Sequence, residues 1–350
     1  MIFRQLFDAA SSTYTYILAD EQSRDAVVID SVFEQVGRDL ALLRELDLKL
    51  QCVVDTHCHA DHVTGAWLMK QKTGCKIAAA SAIGAENVDQ SLVHGDKIEF
   101  GEQHLEVRAT PGHTDGCLSF VTDDHKMVFT GDALLIRGCG RSDFQQGNPA
   151  ILFDSITEQI FTLPGECLVY PGHDYNGRTM SSVAEERIHN SRIGGGANRD
   201  DFVGYMNAMQ LPHPKQIDVA LPANMVSGKP GTMPEEPEWA PATVTFAGVM
   251  EVEPAWVAEN QASVHVLDVR EAAERIPEEN TIAHSQVIPL ASLRERINEV
   301  PTDKPVVAFC RSGRRSALAV SILKQAGFEK AANIAGGLLR WRDEGLPLSA

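Results

Sequence analysis

Several short strand-like segments in the first 173 residues each end in a turn carrying histidine or aspartate, and that repetition restricts the fold more than any other feature of the chain. Cys52 to Val54 runs into Thr56-His-Cys-His-Ala-Asp-His62. Leu105 to Ala109 runs into Thr110-Pro-Gly-His113, Met127 to Phe129 into Thr130-Gly-Asp132, and Tyr170 is followed by Pro-Gly-His173. Apolar runs of this length, or an alternating one such as Leu105 to Ala109, read as strands when punctuated by Gly, Pro and Asp. A loop at a strand end is free to turn imidazoles and carboxylates toward one point while the sheet beneath holds that point still, so these ends could converge on a shared cation. A lone histidine is more often a surface or hydrogen-bonded residue. The run His57, His59, Asp61, His62, followed by His113, Asp132 and His173 at strand ends, reverses that expectation.

Around these motifs the pattern alternates between sheet and helix. Strands are predicted at Tyr14 to Ala19 and Ala26 to Ile29, with a polar turn at Asp20 to Ser23. Val36, Leu40 and Leu43 fall at helical spacing within Val32 to Leu46, and Gln51 to Asp55 forms the next strand. Another strand is expected at Leu118 to Thr122. A helix opens at Pro149 with Asn148 as its cap and runs to about Phe161. Residues 194 to 196 read as loop.

From Ser227 to Pro241 the chain is rich in Pro and Glu and has too little apolar surface to offset the entropy of ordering. A chain of 350 residues exceeds what one core usually supports. The expected domains are therefore 1–235 and 236–350, with a linker at about 227–241. Beyond it come a strand at Val264 to Val269, helical spacing at Leu293 to Val300, a strand at Val306 to Phe309, a helix from about Ser316, and a strand near Ala332 to Ile334. That order implies a small parallel α/β sheet.

Composition narrows the function classes. No stretch approaches the run of about 20 apolar residues that a spanning helix requires, so no membrane association is expected. A net charge of -17 repels the phosphate backbone and argues against nucleic acid. Seven scattered cysteines do not suit a disulfide framework, and the N-terminal residues lack a basic segment leading into an apolar run. Both point to the cytoplasm. Homo-oligomerisation is left open.

The wording THCHADHVTG, TPGHTDGCLSF, FTGDALLIRGCGRSDFQQG and YPGHDYNGR, over roughly residues 1 to 230, resembles the metallo-β-lactamase superfamily. Within it the chain looks most like the persulfide dioxygenases and next most like glyoxalase II. The resemblance implies an αββα sandwich with a metal at one edge of two facing sheets. For a persulfide dioxygenase it implies one Fe(II) per chain held by His57, His113 and Asp132, with open positions for a substrate sulfur and O2. His59, Asp61, His62 and His173 would then be hydrogen-bond partners around the ligands; a glyoxalase II would use them for a second metal. Cys117, where glyoxalase II sequences usually carry His, and the Ser142-Asp-Phe-Gln-Gln-Gly147 continuation favour the dioxygenase. Glutathione persulfide is the implied substrate, glutathione its carrier, and Arg141, Tyr175 and Arg192 the implied partners of its carboxylates. Cys58 and Cys139 are read as small buried hydrophobes rather than ligands, and Cys52, Cys75 and Cys167 as core.

The second region carries different chemistry. Strand Val306 to Phe309 ends in Cys310-Arg-Ser-Gly-Arg-Arg-Ser316, and an apolar helix follows. Backbone N–H groups turned inward by such a loop, together with the helix N-terminus, stabilise a thiolate. Arg311, Arg314 and Arg315 add positive charge that would hold an anion such as thiosulfate. With Leu267-Asp-Val-Arg270, Ala335-Gly-Gly337 and Trp341, this segment resembles a single-domain rhodanese over about Pro241 to Ala350. Asp268 and Arg270 are expected to brace the sheet end beside the loop.

Joined, the halves resemble a persulfide dioxygenase-rhodanese fusion, of α/β class throughout. The expected activities are oxidation of glutathione persulfide by O2 to sulfite and glutathione, and sulfur transfer between thiosulfate and glutathione through a Cys310 persulfide. The alternatives are a dinuclear zinc thioesterase of glyoxalase II type with an attached sulfurtransferase, and a C-terminal module that binds without catalysing.

Overall fold

The computed structural model describes residues 1–209, 211–212, 216–232, 239–275 and 281–349. Residues 233–238 of the Pro/Glu-rich linker lie outside the described residues. The chain divides into two compact units, Met1–Val36 with Leu46–Gly231, and Gly37–Glu45 with Thr232–Ala350.

The first unit is built on two six-stranded sheets. One has the order Ile2–Asp8, Thr13–Ala19, Asp25–Ile29, Lys49–Val54, Lys76–Ala80, Gln90–Leu92, antiparallel over its first three strands and parallel thereafter. The other runs Ser181–Ser182, Leu168–Pro171, Met127–Gly131, Leu118–Thr122, Gln103–Ala109, Lys97–Phe100, with a single parallel pairing between Met127–Gly131 and Leu168–Pro171.

Alternation along the strands decides which layer each side chain joins. Phe120, Phe129 and Tyr170 point into a core shared with Tyr16, Leu18, Val27 and Val54 of the facing sheet. Their neighbours Val121, Val128 and Val169 point the other way, onto Leu152, Ile156, Phe202 and Met206 of the outer helices. Helix Ala66–Thr73 covers Lys49–Val54 and Lys76–Ala80 on the first sheet. The result is the αββα sandwich expected from the sequence.

Local chemistry sets several boundaries. Asp20 accepts from the N–H groups of Gln22 and Ser23, each at 2.8 Å, and so closes the turn before Asp25–Ile29. Asn148 accepts from Ala150 and Ile151 at the start of helix Pro149–Ser155, a cap worth about 1 kcal/mol. The α-helix there ends at Ser155 and passes into a π-turn over Ile156–Ile160, rather than continuing regularly to Phe161. Strand Ile2–Asp8 adds an edge that the alternation from Tyr14 onward did not reveal.

The second unit has one six-stranded sheet, in the order Thr243–Val244, Met250–Val252, Ala331–Ile334, Val306–Phe309, His265–Asp268, Gln286–Val287. All its pairings are parallel except that between the first two strands. Val306 and Ala308 face Ala319, Val320 and Leu323 on one side. Val307 and Phe309 face Leu338 and Trp341 on the other. The spacing over Leu293 to Val300 gives turns and a 3-10 turn at Ile297–Glu299 rather than an α-helix. The helix after the cysteine loop starts at Arg314, two residues earlier than expected. Gly313, at φ 88°, makes the turn that admits it. Among the described residues no helix is long and apolar enough to cross a membrane.

Candidate metal centre and cysteine loop

The metal-site loop is fixed by Thr56, at the end of strand Lys49–Val54. Its N–H donates to Asp30 Oδ1 at 2.6 Å and its hydroxyl to Asp30 Oδ2 at 2.9 Å, while its carbonyl accepts from Leu118 of the second sheet at 2.8 Å. Thr56 Oγ1 also lies 3.0 Å from His57 Nδ1. Because the hydroxyl proton is committed to Asp30, Oγ1 can only accept from the ring. His57 therefore carries its proton on Nδ1 and keeps the Nε2 lone pair free.

His113 is set in the same way. Its Nδ1 lies 2.5 Å from the Arg141 carbonyl, which can only accept, so Nε2 is again the free lone pair. The His57 and His113 rings stand at 83° with centroids 4.9 Å apart. Asp132 Oδ2 is 3.7 Å from His113 Nε2. One ligand atom from each of His57, His113 and Asp132 lies within 4.8 Å of the others.

Charge at this cluster suits a divalent cation. Burial, with His59 and His113 close by, holds the His57 imidazole well below its ordinary pKa, so it is neutral. Burial works against ionisation of Asp132, but the charge and hydrogen bond of His173 outweigh it and keep the carboxylate charged. Two imidazole lone pairs and an anionic oxygen are the donor set of a two-His-one-carboxylate face. The residues present fit such a metal.

Tight packing supports the geometry. A Cβ on Gly140 would sit 2.3 Å from the Asp132 carbonyl and 2.8 Å from His113 Nδ1, and one on Gly172 would sit 2.9 Å from Asp132 Oδ1. Only glycine lets these loops pass so close to the ligands.

The other candidate ligands are bonded largely to one another. His173 lies between two carboxylates, with Nδ1 2.7 Å from Asp132 Oδ1 and Nε2 2.8 Å from Asp61 Oδ2. Burial opposes its charge, yet Asp132 and Asp61 raise its pKa well above the ordinary value and make it an imidazolium. Asp61 Oδ2 also lies 3.0 Å from His62 Nδ1 and accepts from Thr13 at 3.1 Å. His59 Nε2 is 3.2 Å from Asp30 Oδ1; burial again opposes the charge, but Asp30 outweighs it and the ring is raised to about 9. His59, Asp61 and His62 form a second group with ligand atoms within 4.8 Å. In it, His59 Nδ1 and His62 Nε2 are buried with no hydrogen-bond partner among the described residues.

The residues implied for glutathione are placed unequally. Tyr175 is 72% exposed, its ring within 8° of parallel to His173. Arg141 donates to both oxygens of Asp143 at 2.6 and 2.7 Å and lies over Phe144, so its charge is already paired. Arg192 donates to the Cys139 carbonyl and holds that loop. Phe144, under the Arg141 guanidinium, also lines a cavity of about 490 Å³ bounded by Cys58, Asp115, Gln145, Ile217 and Leu221. Burial pushes the thiols of Cys58 and Cys117 up to about 12 and that of Cys139 to about 11, which leaves all three neutral. All seven cysteines are free.

In the second unit Cys310 sits 1% exposed at the end of strand Val306–Phe309. The Ser316 hydroxyl donates to its sulfur at 3.4 Å. Burial works against ionisation, but that hydroxyl and the N–H groups of Ser316, Ser312 and Arg315 outweigh it and hold the thiol below its ordinary range. Arg315 is turned to Glu274, with bonds of 2.5 and 2.6 Å, while Arg311 and Arg314 are exposed. Asp268 and Arg270 form a buried pair, the closest contact 2.6 Å, and the guanidinium lies 5.3 Å from the centre of the Phe309 ring, next to the cysteine.

Sequence reasoning missed Asp30, Thr56, Thr13 and Glu274. Asp30 follows the apolar run Ala26 to Ile29 as the other strand-end acids follow theirs, a signal that was available.

Comparison with known proteins places both regions. The metallo-beta-lactamase superfamily description matches residues 9–173, and the rhodanese-like domain description matches residues 253–344. The persulfide dioxygenase ETHE1, mitochondrial, of Bos taurus is 52% identical over 229 residues, which cover 65% of this chain and 89% of that protein. The crystal structure of ETHE1 from Myxococcus xanthus is 51% identical, with a TM-score of 0.64, and covers 65% of this chain and 100% of that one. A metallo-beta-lactamase from Staphylococcus aureus subsp. aureus COL shares the fold at 21% identity and a TM-score of 0.61, covering 96% of this chain and 98% of that one.

Proposed function

Because the chain belongs to the persulfide dioxygenase family of the metallo-beta-lactamase superfamily, we propose that its first region oxidises glutathione persulfide with O2 and water to sulfite and glutathione, using one Fe(II) per chain. The ligands are His57, His113 and Asp132. The observation that carries this reading is their convergence within 4.8 Å, with both imidazoles presenting Nε2.

When bound by these three residues, iron would supply the redox chemistry. The protein supplies the rest. Thr56 and the Arg141 carbonyl hold the two rings in one tautomer. The His173 imidazolium donates to Asp132 Oδ1, which leaves Oδ2 on the side of His113. Tyr175, exposed beside His173, and Arg141, next to His113, are positioned to receive the substrate's carboxylates; Arg141 would exchange Asp143 for one of them. Arg192 contributes by holding the Cys139 loop, from which it could reach the same ligand.

For the second region we propose sulfur transfer between thiosulfate and glutathione through a Cys310 persulfide. A lowered thiol pKa and convergent N–H donors support it. Arg311 and Arg314 attract the anionic donor. The seven free thiols fit a reducing cytoplasm.

A second reading has one specific observation behind it. The unpartnered nitrogens of His59 and His62 are what a dinuclear zinc thioesterase would use with Asp61. Elemental analysis with an oxygen electrode separates the two: one iron per chain with persulfide-dependent O2 uptake supports the dioxygenase, whereas two zinc ions with thioester hydrolysis overturn it.

A further inference from the structure

We propose that the open cavity beside the Cys310 loop is the acceptor subsite for sulfur transfer, that it selects a small thiol bearing carboxylates, and that Arg342 determines this specificity. The proposal rests on the sulfurtransferase reading above and names the chemistry of its acceptor.

The cavity, about 240 Å³, is lined by Arg270, Glu274, Arg311, Leu338, Leu339 and Arg342. It borders the reactive loop directly. Leu338 N–H donates to the Cys310 carbonyl and Leu339 N–H to the Arg311 carbonyl, each at 2.9 Å. Gly337 makes that approach feasible, since a Cβ there would lie 2.5 Å from the Cys310 carbonyl oxygen.

Its charged groups are not equivalent. Arg270 is buried and committed to Asp268, and Glu274 is committed to Arg315. Arg311 and Arg342 are exposed, and their side chains have no ion pair or hydrogen bond among the described residues. Two uncommitted guanidinium groups thus stand around a floor formed by Leu338 and Leu339. At roughly 30 Å³ per water, the cavity has room for about eight waters, more than cyanide or thiosulfate fills. Planar forked donors match carboxylates, and the leucines accept the aliphatic part of the same molecule.

The step balances without an outside oxidant. The acceptor thiolate attacks the outer sulfur of the Cys310 persulfide, an S–S bond forms to the acceptor, and the S–S bond to Cys310 breaks. Cys310 leaves as a thiolate, received by the Ser316 hydroxyl and the loop N–H groups. The proton on the outer sulfur goes with the product persulfide.

The test uses the full chain with thiosulfate as donor and three acceptors: glutathione, cyanide and cysteamine, a thiol without carboxylates. In Arg342→Ala the ratio of kcat/KM for glutathione to that for cyanide should fall about tenfold, the loss expected for one charge-assisted contact. Arg342→Lys should recover part of it, and Arg342→Glu should shift preference from glutathione toward cysteamine. Each ratio is internal to one preparation, so partial misfolding does not alter it. An unchanged ratio in both Arg342→Ala and Arg342→Glu overturns the subsite and leaves the sulfurtransferase standing. No wild-type turnover with any of the three acceptors overturns the sulfurtransferase, and the subsite with it.

Discussion

His173 Nδ1 lies 2.7 Å from Asp132 Oδ1, so a carboxylate counted among the metal ligands is also the anchor of a buried imidazolium. The bond fixes which oxygen of Asp132 faces His113. His173→Gln keeps a donor without the charge, and His173→Ala removes both. Iron retention against a chelator should fall by about 10- to 100-fold in the alanine variant and less in the glutamine variant. If His173 instead held a second ion, either change would release one of two metals per chain, and elemental analysis would register it.

Thr56 joins Asp30 to His57, and its loss should be felt at the metal before it is felt in the fold. Thr56→Val is close to isosteric but leaves Asp30 Oδ2 without its hydroxyl donor and His57 Nδ1 without its acceptor. We expect destabilisation of about 1–3 kcal/mol from the buried unpaired groups, measured by urea unfolding, and a chelator sensitivity raised by about tenfold or more. Thr56→Ser should restore both. Iron affinity equal to wild type in the valine variant would show that the hydroxyl does not set the ring.

Much of this arrangement could be read in the chain because the chemistry demands polar residues where the strand pattern stops. His57, His113, Asp132 and His173 each follow an apolar strand directly, and Cys310 closes another. Thr13 was not legible. It contacts Asp61, His62 and His173 only because strand Thr13–Ala19 and the loop at His173 meet through an isolated bridge. Nothing local to Thr13 encodes that meeting. Glu274 was hidden for a similar reason: three arginines in the cysteine loop suggest one cationic patch, but tertiary packing assigns Arg315 to a carboxylate 41 residues away. The helix forecast at Leu293 to Val300 failed because apolar spacing alone does not separate an α-helix from the short 3-10 turns that form there, at Leu290–Ser292 and Ile297–Glu299.

The Cys310 thiol should titrate below an ordinary cysteine, and Ser316 should be part of the reason. A depressed pKa means the thiolate is already the main form at pH values where a free thiol is still protonated. Its alkylation rate by iodoacetamide should therefore reach its plateau at lower pH than that of free cysteine. In Ser316→Ala the midpoint should move upward, because a donor to the charged form has been removed. A midpoint unmoved by the substitution would assign the effect to the backbone N–H groups alone.

Cys310→Ser separates the two chemistries most directly. The sulfur of Cys310 is the atom that would carry the sulfane sulfur, and a serine oxygen cannot form a persulfide. The metal ligands all belong to the other compact unit, which supplies its own core, so this change alters none of their contacts. Thiosulfate-dependent transfer should disappear, while O2 uptake on supplied glutathione persulfide stays within about twofold of wild type, because the change replaces one side-chain atom in a separate core. Uptake driven by thiosulfate plus glutathione should vanish with the transfer, because the persulfide must then be made at Cys310 before it can be oxidised. Persistence of that coupled uptake in the serine variant would mean that sulfur reaches the oxidation site by a route that bypasses Cys310.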